Sequence, residues 1–270
     1  MSNSGAAAGG HRVALVTGAA RGIGAATVRL LVAAGWRVVA LDRCADDPAV
    51  PYRLGTRAEL DAVVAAAGGR AVGVVGDVRE RSAMDGAVAS ALERFGRLDA
   101  AVAVAGVLQR GSALWETADD EWSAVMGVNV DGVRRLAAAA IPVLLEAPEP
   151  RSGRFVAVAS AAGTLGLPRL AAYSASKHAV IGLVKGLAAD LAGSGVTANA
   201  VCPGSTTTPI LDASATVYGL ASPEEFASHQ LLGRLLLPEE PAALIAWLCG
   251  PDASGVTGAA LAVDGGMTAS

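Results

Sequence analysis

Three side chains between residues 155 and 177 have the chemistry of acid–base catalysis. Ser160 ends an apolar run, and Tyr173 and Lys177 follow it, four residues apart. Residues with this spacing share one face of a helix, so the phenol and the ammonium group should point into the same space. A neighbouring cation favours the phenolate and thereby lowers the pKa of a tyrosine. The pattern predicts a proton donor, a cation that adjusts its pKa, and a hydroxyl group that holds a substrate oxygen.

Each of these residues also has an ordinary structural interpretation. Tyr173 and Lys177 could be a pair on a helix surface, and Ser160 could cap the turn after its strand. Ser160, however, ends a predicted strand, which is where open α/β sheets bind their ligands. The three residues together therefore favour catalysis.

A glycine-rich turn near the N-terminus has the pattern of a nucleotide-binding loop. Residues 17–24 read TGAARGIG, between a predicted strand and a predicted helix, and the next strand ends in Asp42. Glycines let the backbone approach a pyrophosphate, the helix N-terminus supplies positive charge, and the carboxylate accepts hydrogen bonds from a ribose. The alternative is a tight turn without a ligand.

Asp42 also bears on the choice of cofactor. A carboxylate binds the two hydroxyl groups of the NAD ribose and repels the 2′-phosphate of NADP. Arg21 and Arg43 are nearby cations that weaken this discrimination. The sequence favours NAD over NADP.

The composition restricts the class of protein. The 270 residues are 53% hydrophobic and 17% charged, with 33 glycines and a mean hydropathy of +0.46. These values are typical of a sheet buried on both faces by helices of small residues. The net charge of −4 and the pI near 5.4 argue against nucleic acid as a partner. No apolar run has the length of a membrane span.

The cysteines and histidines indicate neither a disulfide framework nor a metal site, because their spacings fit neither. These residues are Cys44, Cys202, Cys249, His11, His178 and His229. The first ten residues, MSNSGAAAGG, lack the features of a signal peptide. We therefore expect a cytoplasmic protein without a bound metal.

Strand-like runs alternate with helical periodicity along the chain. Strands are predicted at 12–16, 37–41, 71–75, 98–104, 154–159, 196–201 and 260–263. Helices are predicted at 24–34, 82–95, 119–145, 172–191 and 238–248, the third with a bend at Pro142. This alternation predicts an α/β fold: a single Rossmann-type doubly wound parallel sheet of about seven strands, with helices on both faces. Residues 12–270 would be one NAD-binding domain after a flexible tail, 1–11.

Two connections are too long to serve only as links between elements. Residues 43–55 contain two prolines and follow the strand that ends in Asp42, so we expect a cofactor-side insert over the adenosine half of the nucleotide. Residues 205–235 mix small and large apolar residues, as expected of a substrate lid.

The order and spacing of these motifs resemble those of the short-chain dehydrogenases/reductases, from about Arg12 to Thr268. Ser160, Tyr173 and Lys177 match the family's catalytic serine and its Tyr-x-x-x-Lys pair. The resemblance implies that Asn129 is a fourth catalytic residue, which supports the structure and holds a water in a proton relay. Taken alone, Asn129 could equally be a buried amide that binds the backbone.

The same resemblance implies where the cofactor binds. Asp77 and Val78 match the pair that contacts adenine, and Thr208 lies in the segment that holds the nicotinamide carboxamide. Lys177 would also grip the nicotinamide ribose. The implied cofactor-binding residues are Gly18, Arg21, Gly22, Ile23, Gly24, Asp42, Arg43, Asp77, Val78, Ala105, Gly106, Tyr173, Lys177, Pro203, Gly204, Thr206 and Thr208.

One motif departs from the family pattern. Residues 103–106 read AVAG, where the family usually has Asn-Asn-Ala-Gly. The missing asparagine removes a hydrogen bond that stabilises the sheet and changes a detail of the cofactor wall. The proton chemistry does not pass through this position.

A narrower resemblance concerns the mycofactocin-coupled short-chain dehydrogenases. The insert after Asp42 and the run Glu225–Arg234 are similar to those of this subgroup. Its members hold NAD so tightly that a peptide-derived redox carrier reoxidises it in place. The alternative is an ordinary member of the family with freely exchanging NAD.

The resemblance implies an NAD-dependent alcohol dehydrogenase or ketoreductase with Tyr173 as acid and base. A sugar epimerase or dehydratase of related fold is an alternative, as is a module that binds NAD without turnover. Leu108, Leu165, Leu167 and the lid predict an apolar pocket for a secondary alcohol or ketone. By resemblance we expect a homotetramer packed through the helices at 119–145 and 172–191.

Overall fold

The protein contains one sheet of seven parallel strands. The computed structural model describes residues 11–269, so the tail predicted at 1–11 lies, apart from His11, outside the described residues. The strands are β1 (Val13–Thr17), β2 (Arg37–Asp42), β3 (Ala71–Val75), β4 (Ala100–Ala103), β5 (Arg154–Val158), β6 (Thr197–Pro203) and β7 (Ala260–Val263). They lie in the order β3–β2–β1–β4–β5–β6–β7, and every neighbouring pair is parallel.

Within residues 11–269, eight α-helices connect and cover the strands. They are α1 (Gly22–Ala33), α2 (Arg57–Ala66), α3 (Arg81–Phe95), α4 (Asp119–Met126), α5 (Gly132–Glu146), α6 (Ala171–Asp190), α7 (Pro209–Tyr218) and α8 (Glu239–Cys249). None of the helices in residues 11–269 combines the length and apolar character needed to cross a bilayer.

Alternate residues of the central strands face two different hydrophobic cores. On β1, Val13 and Leu15 pack with α3, α5 and α6, whereas Ala14 and Val16 pack with α1 and α8. The strands are continuously apolar because both faces of the sheet are covered. The predicted fold, a doubly wound parallel sheet with helices on both faces, is confirmed.

Three helical features differ from the expectations. The predicted helix 119–145 is α4 and α5 joined by a π-helical turn, Gly127–Asp131, and Pro142 lies within α5. Helix α2 was not predicted, although its start carries a capping box of Thr56 and Glu59. Helix α7 occupies part of the predicted lid.

The strand order creates a crevice at one edge of the sheet. The chain leaves β1 toward β2 on one side and reaches β4 on the other, so the connections diverge there. Ligands of such sheets bind at this point, beyond the carboxyl ends of the strands. The glycine loop, Ser160 and the two long connections all begin at this edge.

Candidate active site

The glycine loop packs so closely that larger side chains cannot replace its glycines. A Cβ on Gly24 would lie 2.0 Å from the carbonyl oxygen of Gly18, and one on Gly18 would lie 2.8 Å from Ala105. Gly18 and Gly22 have positive φ angles of 64° and 55°. The loop therefore presents bare backbone at the start of α1, which suits a pyrophosphate group.

Asp42 is buried at the end of β2 and is tied to the backbone around it. One carboxylate oxygen accepts a hydrogen bond from Ala20 N–H at 3.0 Å, and the other accepts one from Cys44 N–H at 3.2 Å. A Cβ on Gly55 would lie 2.8 Å from this second oxygen. The two ends of the insert thus enclose the carboxylate that is predicted to bind the ribose.

Two arginines and two aspartates form an ion-pair cluster beside Asp42. Arg79 contacts Asp77 at 2.7 Å and Asp47 at 2.8 Å, and Arg43 contacts the same carboxylates at 3.2 and 2.8 Å. Burial raises the pKa of Asp47, but the Ala49 N–H and the two guanidinium groups outweigh it and hold that pKa below its usual value. Sequence reasoning missed Asp47 and Arg79, although the spacing of Arg43 to Asp47 is that of a local ion pair.

Ser160, Tyr173 and Lys177 line a common cavity. Ser160 follows β5, and its hydroxyl accepts a hydrogen bond from Ala162 N–H at 3.1 Å. The Lys177 Nζ donates to the carbonyl oxygen of Val158 at 2.9 Å and lies 5.6 Å from the centroid of the Tyr173 ring. The turns of α6 and the end of β5 thus bring the three residues together as their spacing predicts.

The pKa values of this group differ from the expectation. Burial raises the pKa of Tyr173, and a side-chain hydrogen bond with Ser160 only partly offsets it. Burial also lowers the pKa of Lys177 to about 8. Desolvation therefore decides the direction of the shift for Tyr173, and the lowered pKa expected from its spacing to Lys177 is not found.

The Asn129 side chain is fully engaged with other parts of the protein. Its Nδ2 donates to the carbonyl oxygen of Val107 and to Ser176 Oγ, both at 2.9 Å, and its Oδ1 accepts from Val107 N–H at 2.8 Å. Asn129 lies in the π-helical turn, a feature that is frequent at functional sites. In the structure, the Asn129 amide joins the π-helical turn to the segment after β4.

The end of β6 forms the wall opposite the glycine loop. Thr206 Oγ1 donates to the carbonyl oxygen of Gly204 at 3.0 Å, and Thr208 Oγ1 donates to that of Thr206 at 3.1 Å. A Cβ on Gly22 would lie 3.3 Å from Thr208. The predicted nicotinamide wall and the predicted phosphate loop are thus in near contact across the crevice.

The missing asparagine of the AVAG segment is compensated by Thr17. Its hydroxyl oxygen accepts hydrogen bonds from the N–H groups of Val104 and Ala105, at 3.1 and 3.3 Å. The end of β4 is therefore fixed to the end of β1 without an amide side chain. This contact joins residues that are distant in sequence, so no local pattern indicated it.

The insert reaches further than the adenosine half. The Tyr52 hydroxyl accepts a hydrogen bond from Leu108 N–H at 3.2 Å, and Tyr52 packs with the apolar cluster that contacts Tyr173. Arg21 donates to the carbonyl oxygen of Arg53, and Arg110 donates to that of Pro48 at 3.1 Å. The insert therefore spans the crevice and is tied to both of its sides.

The lid segment is held mainly by apolar packing around α7. Leu108 and Val217 are members of one buried cluster, and a Cβ on Gly111 would lie 2.3 Å from Val217. Arg169 donates to the carbonyl oxygen of Val217 at 2.7 Å and to that of Gly111 at 3.0 Å, from a backbone with φ of 61°. These contacts fix the C-terminal end of α7.

The crevice is a cavity of about 550 Å³, and the predicted site residues other than Asn129 all line it. One part is bordered by the glycine loop, Asp42 and the ion pairs. Apolar residues border the part near Tyr173, among them Leu167, Ile210 and Tyr218. Bare backbone, a buried carboxylate and an apolar wall fit a dinucleotide with a small apolar substrate. Among residues 11–269, no group of side chains has the arrangement of a metal site.

These features define a nucleotide-binding oxidoreductase of the Rossmann class. The family model described as Enoyl-(Acyl carrier protein) reductase matches residues 18–268. An uncharacterized oxidoreductase of Mycobacterium tuberculosis is 37% identical over 267 residues, which are 95% of this chain and 96% of that protein. The chain belongs to the short-chain dehydrogenase/reductase family.

Two solved structures are similar over almost the whole chain. Carveol dehydrogenase from Mycobacterium avium in complex with NAD has a TM-score of 0.90 at 28% identity and covers 97% of this chain and 99% of its own. The 3-ketoacyl-(acyl-carrier-protein) reductase from Brucella melitensis, complexed with NADH, has a TM-score of 0.85 at 31% identity and covers 96% and 99%.

Proposed function

We propose that this protein interconverts a secondary alcohol and a ketone with NAD as the hydride carrier. The observation that carries the proposal is the single cavity shared by Ser160, Tyr173, Lys177, the glycine loop and Asp42. The alternative of a module that binds NAD without turnover needs no catalytic side chains at the nicotinamide end. The family model that the chain matches is described as a reductase, which gives no support to the alternative of an epimerase or dehydratase.

Tyr173 and Ser160 would bind the substrate oxygen, and Tyr173 would exchange a proton with it. Bound NAD supplies or accepts the hydride at the substrate carbon. In reduction, Tyr173 donates its proton to the carbonyl oxygen while the Ser160 hydroxyl donates a hydrogen bond to it, and in oxidation Tyr173 accepts the proton. Both donors are fixed before the reaction, so they stabilise developing negative charge more than they stabilise the ground state.

Lys177 would act by placing positive charge near the substrate oxygen. Its pKa of about 8 keeps it mostly protonated at neutral pH. A bound dinucleotide also brings negative phosphates and a ribose into the cavity, which favours the ammonium form. By resemblance to the family, Asn129 would hold a water that links Lys177 to solvent and so completes the proton path from Tyr173.

The preference for NAD is supported by the surroundings of Asp42. Arg43, the cation next to the predicted ribose site, is engaged by Asp47 and Asp77. An arginine held by two carboxylates is poorly placed to bind a 2′-phosphate, and Asp42 repels one. We therefore propose NAD as the working cofactor, with NADP disfavoured.

The apolar wall around Tyr173 favours a neutral alicyclic substrate over one linked to a carrier by a phosphate group. Leu167, Ile210 and Tyr218 pack into the same cluster as Tyr173. Leu211 and Phe226 line the cavity from the lid. A terpenoid or steroid-like alcohol would bury its rings against these residues.

We further propose that the insert slows the release of NAD, as the resemblance to the mycofactocin-coupled enzymes implies. The insert bonds to the glycine loop through Arg53 and to the opposite side through Tyr52 and Pro48. An insert held in this way would keep the nucleotide bound while a small redox carrier recycles it in place.

We also propose that the protein is a homotetramer packed through α4, α5 and α6. Light scattering of the purified protein tests this oligomeric state.

The variant Tyr173→Phe tests the chemistry. The protein is purified and its bound NAD measured, and carveol, cyclohexanol and a 3β-hydroxysteroid are offered with dichlorophenolindophenol as electron acceptor. We expect turnover to fall by about 10²–10⁴-fold, since general acid–base catalysis contributes that much, while bound NAD is unchanged. Tyr218→Phe removes a hydroxyl bonded to Pro168 instead and should cost far less.

The same experiment contains the results that would contradict the proposal. Unchanged turnover by Tyr173→Phe would eliminate the mechanism. If the protein reduces an acetoacetyl thioester and oxidises none of the three alcohols, the proposal of an alicyclic substrate is wrong and a ketoacyl substrate is indicated. If NAD is lost on dialysis, the proposal that the insert slows its release is wrong, and the enzyme exchanges NAD freely.

A further inference from the structure

Gln109 is buried beside the start of the helix that carries Tyr173 and Lys177. It lies in the loop after β4, its side chain has no exposed surface, and sequence analysis did not single it out. Its Oε1 accepts a hydrogen bond from the backbone N–H of Tyr173 at 3.2 Å. The first N–H groups of a helix lack partners within the helix. Gln109 therefore caps α6 from a distant segment, where Leu170, the residue before the helix, has no polar side chain to do so.

Packing alone does not explain a glutamine at this position. The Nε2 of Gln109 is buried and has no hydrogen-bond partner among residues 11–269. An unpaired buried donor destabilises the folded state, whereas an apolar side chain of the same shape would avoid that cost. Apolar packing thus gives no reason for a carboxamide here, and its one hydrogen bond is to the backbone of Tyr173.

The carbonyl group of Tyr173 is held from the same direction. Ser176 Oγ donates to it at 2.7 Å and accepts a hydrogen bond from Asn129 Nδ2. Asn129 in turn binds both the N–H and the carbonyl oxygen of Val107. The backbone of Tyr173 is thus connected on both sides to residues 107–109.

We propose that Gln109 is a positioning residue for Tyr173. By fixing the first turn of α6 to the loop after β4, it keeps the phenol in line with Ser160 and with a substrate oxygen. The proposal rests on the assignment of Tyr173 as acid and base under the proposed function. The intervening Leu108 binds Tyr52, so the insert is attached to this same loop.

Three substitutions separate the hydrogen bond from the shape and polarity of the side chain. Gln109→Met keeps the length and removes both polar atoms, Gln109→Asn keeps the amide but is too short to reach, and Gln109→Glu keeps the acceptor. We expect kcat for carveol to fall about tenfold in the Met and Asn variants, because a misplacement of about 1 Å can cost roughly 10²-fold and the loss of one capping bond should displace the phenol by less than that. The Glu variant should retain most of kcat, and KM and bound NAD should stay within twofold throughout.

Thermal stability and hydrogen exchange separate positioning from a merely structural role. The Met variant should melt at a temperature close to that of the wild type, since it also loses the unpaired Nε2. Amide exchange should nevertheless quicken in the first turn of α6. Asn199→Leu is the matched control: Asn199 is a buried amide on β6 that binds the backbone at Val256 and Ala259. It should lower the melting temperature and leave kcat per bound NAD unchanged.

Each other outcome is decisive. If Tyr173→Phe is inactive but Gln109→Met has wild-type kcat, the positioning role is wrong and the proposed function stands. If kcat falls equally in Gln109→Met and Asn199→Leu, the effect is general destabilisation and the proposal is wrong. If Tyr173→Phe keeps its turnover, the proposed function has failed, and this proposal fails with it.

Discussion

The insert and the lid cover opposite parts of the same cavity, and they differ in the kind of contact that predominates. Residues 43–55 have no helix or strand and are fixed mainly by ion pairs and by side-chain bonds to carbonyl groups, to which Val50, Tyr52 and Leu54 add apolar contacts. The lid contains α7 and is fixed mainly by apolar packing around Val217, to which Arg169 adds a hydrogen bond. Polar contacts at a surface weaken with salt and low pH, whereas apolar packing does not. Under the proposed function, the charged contacts of the insert would govern the release of NAD, and the apolar packing of the lid would govern the fit of the substrate.

The largest effect is expected on the lid side, from Gly111→Ala. The new Cβ would lie 2.3 Å from Val217, at a residue with φ of 92°. Gly35→Ala is the matched control, because Gly35 has φ of 87° and nothing within 4 Å of the new Cβ. We expect Gly111→Ala to lower the free energy of unfolding by about 1–3 kcal/mol more than Gly35→Ala, the usual cost of overpacking. KM for carveol should rise with bound NAD unchanged, as denaturant titration and kinetics would measure.

A smaller effect is expected on the insert side, from Asp47→Asn. Loss of the bonds to Arg43 and Arg79 should cost about 1–2 kcal/mol and quicken NAD release. The folded-state pKa of Asp47 lies below its usual value of 3.8, so its contribution to stability is present above that pH and is lost as the pH falls below it. The melting temperature of the wild type should therefore drop more steeply below about pH 4 than that of the variant. Parallel pH curves would contradict this.

The smallest effect is expected from Tyr52→Phe, which removes one hydrogen bond between the insert and Leu108. A single bond of this kind contributes about 1 kcal/mol, so NAD should dissociate roughly fivefold faster. Stopped-flow measurement of release into excess competing nucleotide would record the rate. An unchanged rate would mean that the insert is held by its charges and not by its contact with the nicotinamide side.

The sequence predicted the sheet because continuous apolar runs and their alternation with helices are local properties. Helix α7 was missed, although Pro209 at its first position and Gly219 just after its end are ordinary helix signals. The residues of the glycine loop and the Tyr173–Lys177 pair were recognised because their spacing is short. Tyr52, Thr17 and Gln109 act through contacts with distant segments, and spacing carries no information about such contacts.

The pKa of Tyr173 also depends on more than the spacing of nearby residues. The spacing to Lys177 placed the two side chains correctly, but burial decides the direction of the shift, and burial depends on the whole cavity. The spacing of two residues therefore predicted the right neighbours but the wrong direction for the pKa of Tyr173.

The loop after β4 has a consequence for enzyme engineering. Val107, Leu108 and Gln109 bind three different partners, the π-helical turn, the insert and α6. Inserting or deleting one residue here would shift every contact to the wrong neighbour at once. Attempts to alter the substrate range should therefore keep the length of residues 105–111 constant and place their diversity on the cavity-facing side of α7, where single side chains can change independently.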